Sequence, residues 1–132
     1  MSEENVAAVR RAYEVGYAER SVENLLDGLD ESFVWHQRPE WPGRSLYGVE
    51  DLPQLWADLD DTYTEFSLVP EDFAPVGEYV VVTVRNSARM RASDARIEAT
   101  LYHVWHLRDG KAREAWTYST RAEALEAVGR AE

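Results

Sequence analysis

The hydrophobic pattern of this chain changes its period near the middle. In the first half, apolar residues recur every three or four positions, which is typical of the buried face of a helix. One such stripe consists of Val6, Val9, Tyr13 and Tyr17, and another runs through residues 52–63. In the second half, four segments are strand-like: residues 66–69, 79–90, 97–107 and 111–118. Helices followed by strands predict an α+β fold with the helices on one face of the sheet.

Two cap residues divide the N-terminal part. Ser2 and Ser21 are candidate N-caps of two helices that form a hairpin, and Leu29 falls on the apolar side of the second helix. Residues 33–37 are aromatic and β-branched, which indicates a short strand. A third helix then begins after Gly48.

Turn and cap signals also organise the C-terminal part. Asp109-Gly110 is a strong β-hairpin signal between the last two strands, so we expect an antiparallel meander. Thr120 and Glu123 have the spacing of a capping box, which predicts a final helix. Gly129 is the expected stop of that helix.

Composition excludes several classes of protein. With 132 residues, 45% of them hydrophobic, the chain predicts a single domain over residues 1–132 with a real core. The formal net charge of −11 argues against nucleic acid and membrane surfaces as partners. The absence of cysteine excludes thiolate nucleophiles and disulfides. Because no secretory signal or long apolar run is present, we expect a cytoplasmic protein, and arginine at every basic position except Lys111 suggests a bacterial source.

Five local segments, in this order, resemble SnoaL-like proteins of the nuclear transport factor 2-like superfamily. They are Val9-Arg10-Arg11-Ala12-Tyr13, Phe33-Val34-Trp35, Tyr47-Gly48-Val49-Glu50, the stretch from His103 to Lys111, and Arg121-Ala122-Glu123-Ala124-Leu125. The resemblance implies a cone-shaped, cystatin-like roll, in which N-terminal helices pack on a strongly bent antiparallel sheet. It also implies an apolar pocket at the wide end of the cone. Members of the family include isomerases, dehydratases, cyclases and domains without catalytic activity, so the fold does not decide the function.

His103 is the main candidate for chemistry. The resemblance implies that a histidine at this strand position lines the pocket, where an imidazole could carry a proton. The alternative is a hydrogen-bonded histidine of the core. In the related cyclases an aspartate on the next strand assists, but the matching position here is Thr117, which is not a base at neutral pH. Strand alternation places Glu98 on the opposite face, and the face of Glu114 depends on whether the turn contains a bulge.

The histidine spacing argues against a metal site. His103 and His106 are three residues apart on a strand, so their side chains point to opposite faces. His36 follows Trp35, which alternation places inside, so His36 is expected to face outward or to lie at the rim. Because the chain also lacks a glycine-rich phosphate loop, we expect no cofactor.

Aromatic residues dominate the expected inward faces. The candidate ligand-binding residues are Tyr13, Tyr17, Trp35, Trp56, Tyr63, His103, Trp105 and Thr117. Their functional interpretation is a pocket for a small apolar or aromatic molecule, and the alternative is ordinary core packing. In a catalytic version of this site, His103 moves a proton and Tyr17 polarises the oxygen of a carbonyl substrate.

The outer face of the sheet is a candidate interface. Alternation places Tyr102, Val104 and His106 opposite His103, and an apolar stripe on a solvated face predicts a homodimer.

The sequence leaves three hypotheses for the function. They are a small-molecule-binding domain, an isomerase, dehydratase or cyclase that uses His103, and a non-catalytic dimeric interaction module whose pocket is filled by side chains.

Overall fold

The computed structural model describes residues 2–18, 22–38 and 43–131, apart from the side chains of residues 2, 17, 18, 22 and 131. The helices are α1 (Ser2–Ala12), α2 (Val22–Leu26), α3 (Leu52–Thr62) and α4 (Arg121–Ala131). A π-helical turn (Tyr13–Ala18) continues α1, and a 3₁₀ turn (Val49–Asp51) precedes α3. The strands are β1 (Leu29–His36), β2 (Leu46–Gly48), β3 (Tyr63–Val76), β4 (Tyr79–Met90), β5 (Arg96–Arg108) and β6 (Lys111–Tyr118). This arrangement confirms the α+β prediction, and the candidate cap Ser21 lies outside the described residues.

The six strands form one sheet in the order β2-β1-β6-β5-β4-β3. Strands β3 to β6 are the predicted antiparallel meander. Strand β1, however, runs parallel to β6, so the sheet is mixed rather than wholly antiparallel. Because the connection between these two strands passes through α3 and four further strands, no tight turn fixes their relative direction.

Strand β3 is longer than the sequence pattern predicts. It lies at one edge of the sheet and contains Pro70 and Pro75, which are tolerated there because an edge strand has unpaired N–H positions. Its pairing with β4 shifts register between Thr64 and Ser67, and Glu65 at this irregularity has a φ of 51°. Such bulges bend a strand and increase its twist.

The main core lies between the helices and the inner face of the sheet. Helices α1 and α3 contribute buried residues such as Val9 and Leu55, and β4 contributes Val80, Val82 and Val84. Leu29 belongs to this core but starts β1, so its assignment to the second helix is wrong. The helix ends earlier because Gly28 closes a turn onto the carbonyl of Leu25.

Helix α4 packs on the outer face of the sheet. Its Ala124 and Val128 form a second apolar cluster with Val81 and Val104. Val104 is 1% exposed, so the expectation that it forms part of an open dimer face is wrong: the chain covers it with its own helix. An amphipathic C-terminal helix can cover either face of a sheet, and the hydrophobic pattern does not distinguish the two.

The predicted connections of the C-terminal half are confirmed, apart from the helix stop. Asp109 and Gly110 both have positive φ angles, 54° and 78°, as a two-residue hairpin turn of type I′ requires. Thr120 and Glu123 form the reciprocal bonds of a capping box. Helix α4 continues through Gly129 to Ala131, because nothing in a glycine forces a helix to end. None of the helices in the described part of the chain is long and apolar enough to cross a membrane.

Candidate functional site

His103 occupies the inner face of β5 and is 2% exposed. Strand register places it opposite Thr117 on β6 and Val82 on β4. The indole of Trp35 on β1 meets the imidazole edge to face, with ring centroids 4.8 Å apart. The expectation that His103, Trp35 and Thr117 share one interior site agrees with this geometry.

Tyr13 connects the N-terminal helix to His103. Its oxygen lies 2.6 Å from Nδ1 of His103, and it accepts a 2.9 Å hydrogen bond from Nε1 of Trp105. Tyr13 stands where α1 widens into the π-helical turn, a local irregularity that is frequent at functional sites. Tyr13, His103 and Trp105 therefore form one buried, hydrogen-bonded group.

The imidazole of His103 is neutral in the folded protein. Burial lowers the pKa of His103 to about 3, and the guanidinium of Arg38 contributes to the shift. A buried cation would lose its hydration, which is why the neutral form is favoured. His103 therefore cannot serve as a protonated acid at neutral pH.

A small cavity adjoins His103. Its volume is about 30 Å³, and its walls include four of the predicted residues: Trp35, Tyr63, His103 and Thr117. A cavity of this size holds roughly one or two water molecules. Arg38, Asn86 and the strand residues Leu68 and Leu101 also line it but were not among the predicted residues, and Phe66 lines it as well.

Asn86 and Thr117, which line this cavity, each carry a buried polar atom that has no hydrogen-bond partner among the described residues. The atoms are Oδ1 of Asn86 and Oγ1 of Thr117, in side chains that are 6% and 8% exposed as whole residues. A buried polar atom without a partner is costly, and a bound molecule or water that bonded it would remove the cost. Asn86 interrupts the inward apolar series Val80, Val82, Val84 on β4, and this break in the pattern was a usable sequence signal.

The other predicted pocket residues lie elsewhere. Trp56 lines a separate void of about 10 Å³ in the core, which Trp35 and Trp105 also border. Tyr13 and Trp105 act through their hydrogen bond and do not line the His103 cavity. The side chain of Tyr17 lies outside the described residues.

The positions of the nearby glutamates show whether a carboxylate lies beside His103. Glu114 lies on the outer face, where its Oε2 is 2.6 Å from Nε2 of His36. A register shift between His106 and Leu107 accompanies this placement. Glu98 and Glu14 are exposed to solvent. In the described residues, then, no carboxylate takes the place of the cyclase aspartate beside His103.

The outer-face histidines do not form a metal centre. His36 stacks on Trp116, with centroids 5.3 Å apart, and His106 pairs with Glu78 at 3.1 Å. His36 therefore faces outward, as the alternation predicts. Across the described ranges, no group of three or more His, Cys, Asp or Glu side chains is placed to hold a metal ion.

A larger cavity of about 180 Å³ opens between α1, α2 and the β5–β6 turn. Its floor is apolar and includes Val9, Leu25 and Leu107, and its rim carries Arg11 and Asp27. Neither of the unpartnered buried polar atoms, Asn86 Oδ1 and Thr117 Oγ1, lies in it. The polar cavity beside His103 is therefore the better candidate for specific recognition.

Comparison with known proteins identifies a matching family model, the SnoaL-like domain, which covers residues 9–115. A search of curated protein sequences finds no significant match. Several solved structures are similar over nearly their whole length. An NTF2-like protein from Burkholderia thailandensis E264 has a TM-score of 0.80 and 15% identity, with 92% of this chain and 96% of that chain covered.

Two similar structures contain small molecules. TerC, co-crystallized with polyporic acid, has a TM-score of 0.77 and 20% identity, and the match covers 96% of this chain and 98% of TerC. A protein with a ketosteroid isomerase-like fold from Catenulispora acidiphila DSM 44928, in complex with trimethylamine, has a TM-score of 0.70 and 11% identity over 92% of both chains. At these identities the similarity establishes the fold.

Proposed function

Because the chain belongs to the SnoaL-like domain family, we propose that it is a small-molecule-binding domain whose site is the cavity beside His103. The ligand is a small, planar molecule that combines an apolar ring with a polar group. The rings of Trp35, Tyr63 and Phe66 contact its apolar part, and the polar floor of the cavity orients it.

The observation that carries this proposal is the pair of unpartnered polar atoms, Asn86 Oδ1 and Thr117 Oγ1. A cavity that served only for packing would be more stable with apolar side chains at these two positions. Polar side chains that share the wall of one cavity with a buried histidine are instead characteristic of a binding pocket, in which a few polar groups fix the orientation of an otherwise apolar ligand.

The geometry favours binding over proton transfer. An effective proton carrier has a pKa near the working pH, whereas the pKa of His103 is lowered to about 3. A histidine and carboxylate pair would support acid–base catalysis, but Thr117 occupies the matching position. The isomerase, dehydratase or cyclase role of His103 and Tyr17 is therefore our second choice.

The similar structures with bound molecules support a binding role. TerC was co-crystallized with polyporic acid, and the Catenulispora acidiphila protein is in complex with trimethylamine. Any ligand larger than water needs more room than about 30 Å³, so rim side chains must move outward. Tyr63 and Phe66 are suited to this because both are partly exposed, with ring centroids 5.8 Å apart.

We also propose that the protein forms a homodimer through the part of the outer face that α4 leaves open. Tyr102 and His106 are partly exposed there. A charge in the middle of such an interface is unfavourable. Tyr102→Arg is therefore expected to sediment as a monomer where the wild type sediments as a dimer, and an unchanged dimer, or a monomeric wild type, contradicts this assignment.

Calorimetric titration with phenol tests the binding proposal. Phenol has one ring and a hydroxyl that both donates and accepts hydrogen bonds, so it suits any arrangement of protons in the cavity. We expect saturable binding to the wild type. Leu68→Trp places a larger side chain in the cavity wall and should abolish that binding. Val69→Trp is the matched control and should leave binding unchanged, because Val69 is 50% exposed and does not line the cavity.

Each outcome of the titration has a consequence. Binding to the wild type and to Val69→Trp, with none to Leu68→Trp, supports the site. Equal binding to all three proteins places phenol elsewhere, and the absence of saturable binding to the wild type contradicts the proposal. Near-ultraviolet circular dichroism of each variant confirms that it is folded.

A further inference from the structure

We infer that Tyr13 is a positioning residue that holds the single ring proton of His103 on Nε2, so that the cavity selects a ligand with a hydrogen-bond acceptor such as a carbonyl oxygen. This inference rests on the proposed function, because it names the chemical class of molecule that the His103 cavity takes. Tyr13 itself does not line the cavity and acts through His103.

The length of the Tyr13–His103 bond suits an O–H donor. N–H donors in proteins lie about 2.7–3.2 Å from an oxygen acceptor, whereas O–H donors come as close as about 2.5 Å. The separation of 2.6 Å between the Tyr13 oxygen and Nδ1 agrees with the phenol O–H as the donor. The 2.9 Å separation between Trp105 Nε1 and the same oxygen has the normal length of an N–H donor.

The chemistry of the indole agrees with this direction. The Trp105 N–H can only donate, so at that contact the Tyr13 oxygen is the acceptor. A phenol oxygen that accepts one bond still has its own proton to donate, and Nδ1 of His103 lies at donating distance. The chain of donors thus runs from Trp105 through Tyr13 to His103.

A neutral imidazole carries one N–H and one bare nitrogen. Because Nδ1 accepts from Tyr13, the proton of His103 belongs to Nε2. The lowered pKa of His103 agrees with this assignment, since an imidazolium would carry a proton on both nitrogens. No described residue forms a hydrogen bond with Nε2, so this N–H is available to a molecule in the cavity.

The charges around the cavity also favour an acceptor. The chain has 25 acidic residues, yet among the described residues that line this cavity none is acidic and Arg38 is basic. Thr117, directly across the strand pair from His103, supplies a hydroxyl that can donate to the same ligand atom. An electron-rich oxygen near His103 would meet a positive potential and two donors.

Nitrogen-15 NMR of the ligand-free wild type tests the position of the proton. We expect the long-range ¹H–¹⁵N correlations of His103 to show a protonated Nε2 and an Nδ1 that accepts a hydrogen bond. In Tyr13→Phe the Nδ1 resonance should move towards that of a nitrogen without a donor, and Tyr102→Phe should leave it unchanged. A proton on Nδ1 in the wild type overturns the inference, whether or not either variant folds.

Bound acetophenone tests the selection of an acceptor. We expect its carbonyl stretching frequency to fall on binding, relative to its value in hexane, and the Nε2 proton of His103 to move downfield. Isopropylbenzene has nearly the same shape without the oxygen, and it should leave that proton unshifted. Acetophenone that binds with an unshifted carbonyl contradicts the inference but leaves the binding function intact, whereas failure of phenol to bind contradicts the function itself.

Discussion

The hydroxyl of Tyr13 and Nδ1 of His103 lie 2.6 Å apart, although the two residues are separated by 90 positions in the sequence. The bond joins the first helix to the fifth strand in the interior of the protein. It engages one imidazole nitrogen and leaves the other for the cavity. This contact in the core thereby determines which hydrogen-bonding group of His103, the Nε2–H donor, faces a ligand in the cavity.

Loss of the Tyr13 hydroxyl should destabilise the fold. Tyr13→Phe leaves both His103 Nδ1 and Trp105 Nε1 buried without this partner. We expect the free energy of unfolding to fall by about 1–3 kcal/mol, measured by urea denaturation. The matched control, Tyr102→Phe on the outer face, should change it by less than about 0.5 kcal/mol. Equal effects of the two substitutions would show that the buried bond is not a source of stability.

Burial of His103 should make stability depend on pH. The pKa of His103 is about 3 in the folded protein and 6.5 ordinarily, so the unfolded chain takes up the proton first. The stabilisation is complete above pH 6.5 and decreases as the pH falls towards 3. The expected loss from this residue is about 2 kcal/mol between pH 7 and pH 5.

Urea denaturation at several pH values measures this dependence. His106→Gln, which removes a partly exposed histidine, should retain the loss that His103 causes. A wild-type protein whose stability is constant from pH 7 to pH 5 would contradict the burial argument. So would a His103 ring signal that titrates near pH 6.5 in the folded state.

Part of the candidate site was predictable from sequence, but its hydrogen bonding was not. The resemblance placed His103 and Thr117 at facing positions of the pocket, and strand alternation placed Trp35 on the interior face. The Tyr13–His103 bond depends on how far α1 lies from β5 and on the π-helical turn, which no local pattern reports. Asn86 was detectable as a polar break in an apolar strand, but a single such residue does not reveal whether it has a partner.

A charged side chain at position 104 should destabilise the fold, because Val104 is buried beneath α4 and not because it lies in a dimer interface. It is 1% exposed and packs with Ala124 and Val128 of α4. Val104→Glu would bury a carboxylate without a partner and should lower the free energy of unfolding by more than about 3 kcal/mol. Val69→Glu, at a position that is 50% exposed, should cost less than about 0.5 kcal/mol. A stable Val104→Glu protein would mean that α4 does not cover this face.

The capping box should contribute to the attachment of α4. The hydroxyl of Thr120 accepts a 3.1 Å hydrogen bond from the backbone N–H of Glu123. Thr120→Ala removes this bond and should cost about 1 kcal/mol in chemical denaturation. Ser119→Ala changes the neighbouring exposed residue and should have little effect. Similar losses for both variants would argue against a specific role of the cap.

The fold was predictable where the signals are local and less so where they are not. The Asp109-Gly110 hairpin and the Thr120–Glu123 cap were correct because each depends on a few adjacent residues. The parallel pairing of β1 with β6 depends on the path of the whole intervening chain. Strand β3 was underestimated because its prolines obscured an edge strand, whose position in the sheet the pattern does not encode.

A crystal structure of the wild-type protein with phenol would show directly where a small aromatic molecule binds. We expect the ring between Trp35 and Tyr63, with the hydroxyl oxygen within hydrogen-bond distance of His103 Nε2 and Thr117 Oγ1. Phenol found instead in the larger cavity beneath α1 and α2, or only on the outer face of the sheet, would contradict the assignment of the site.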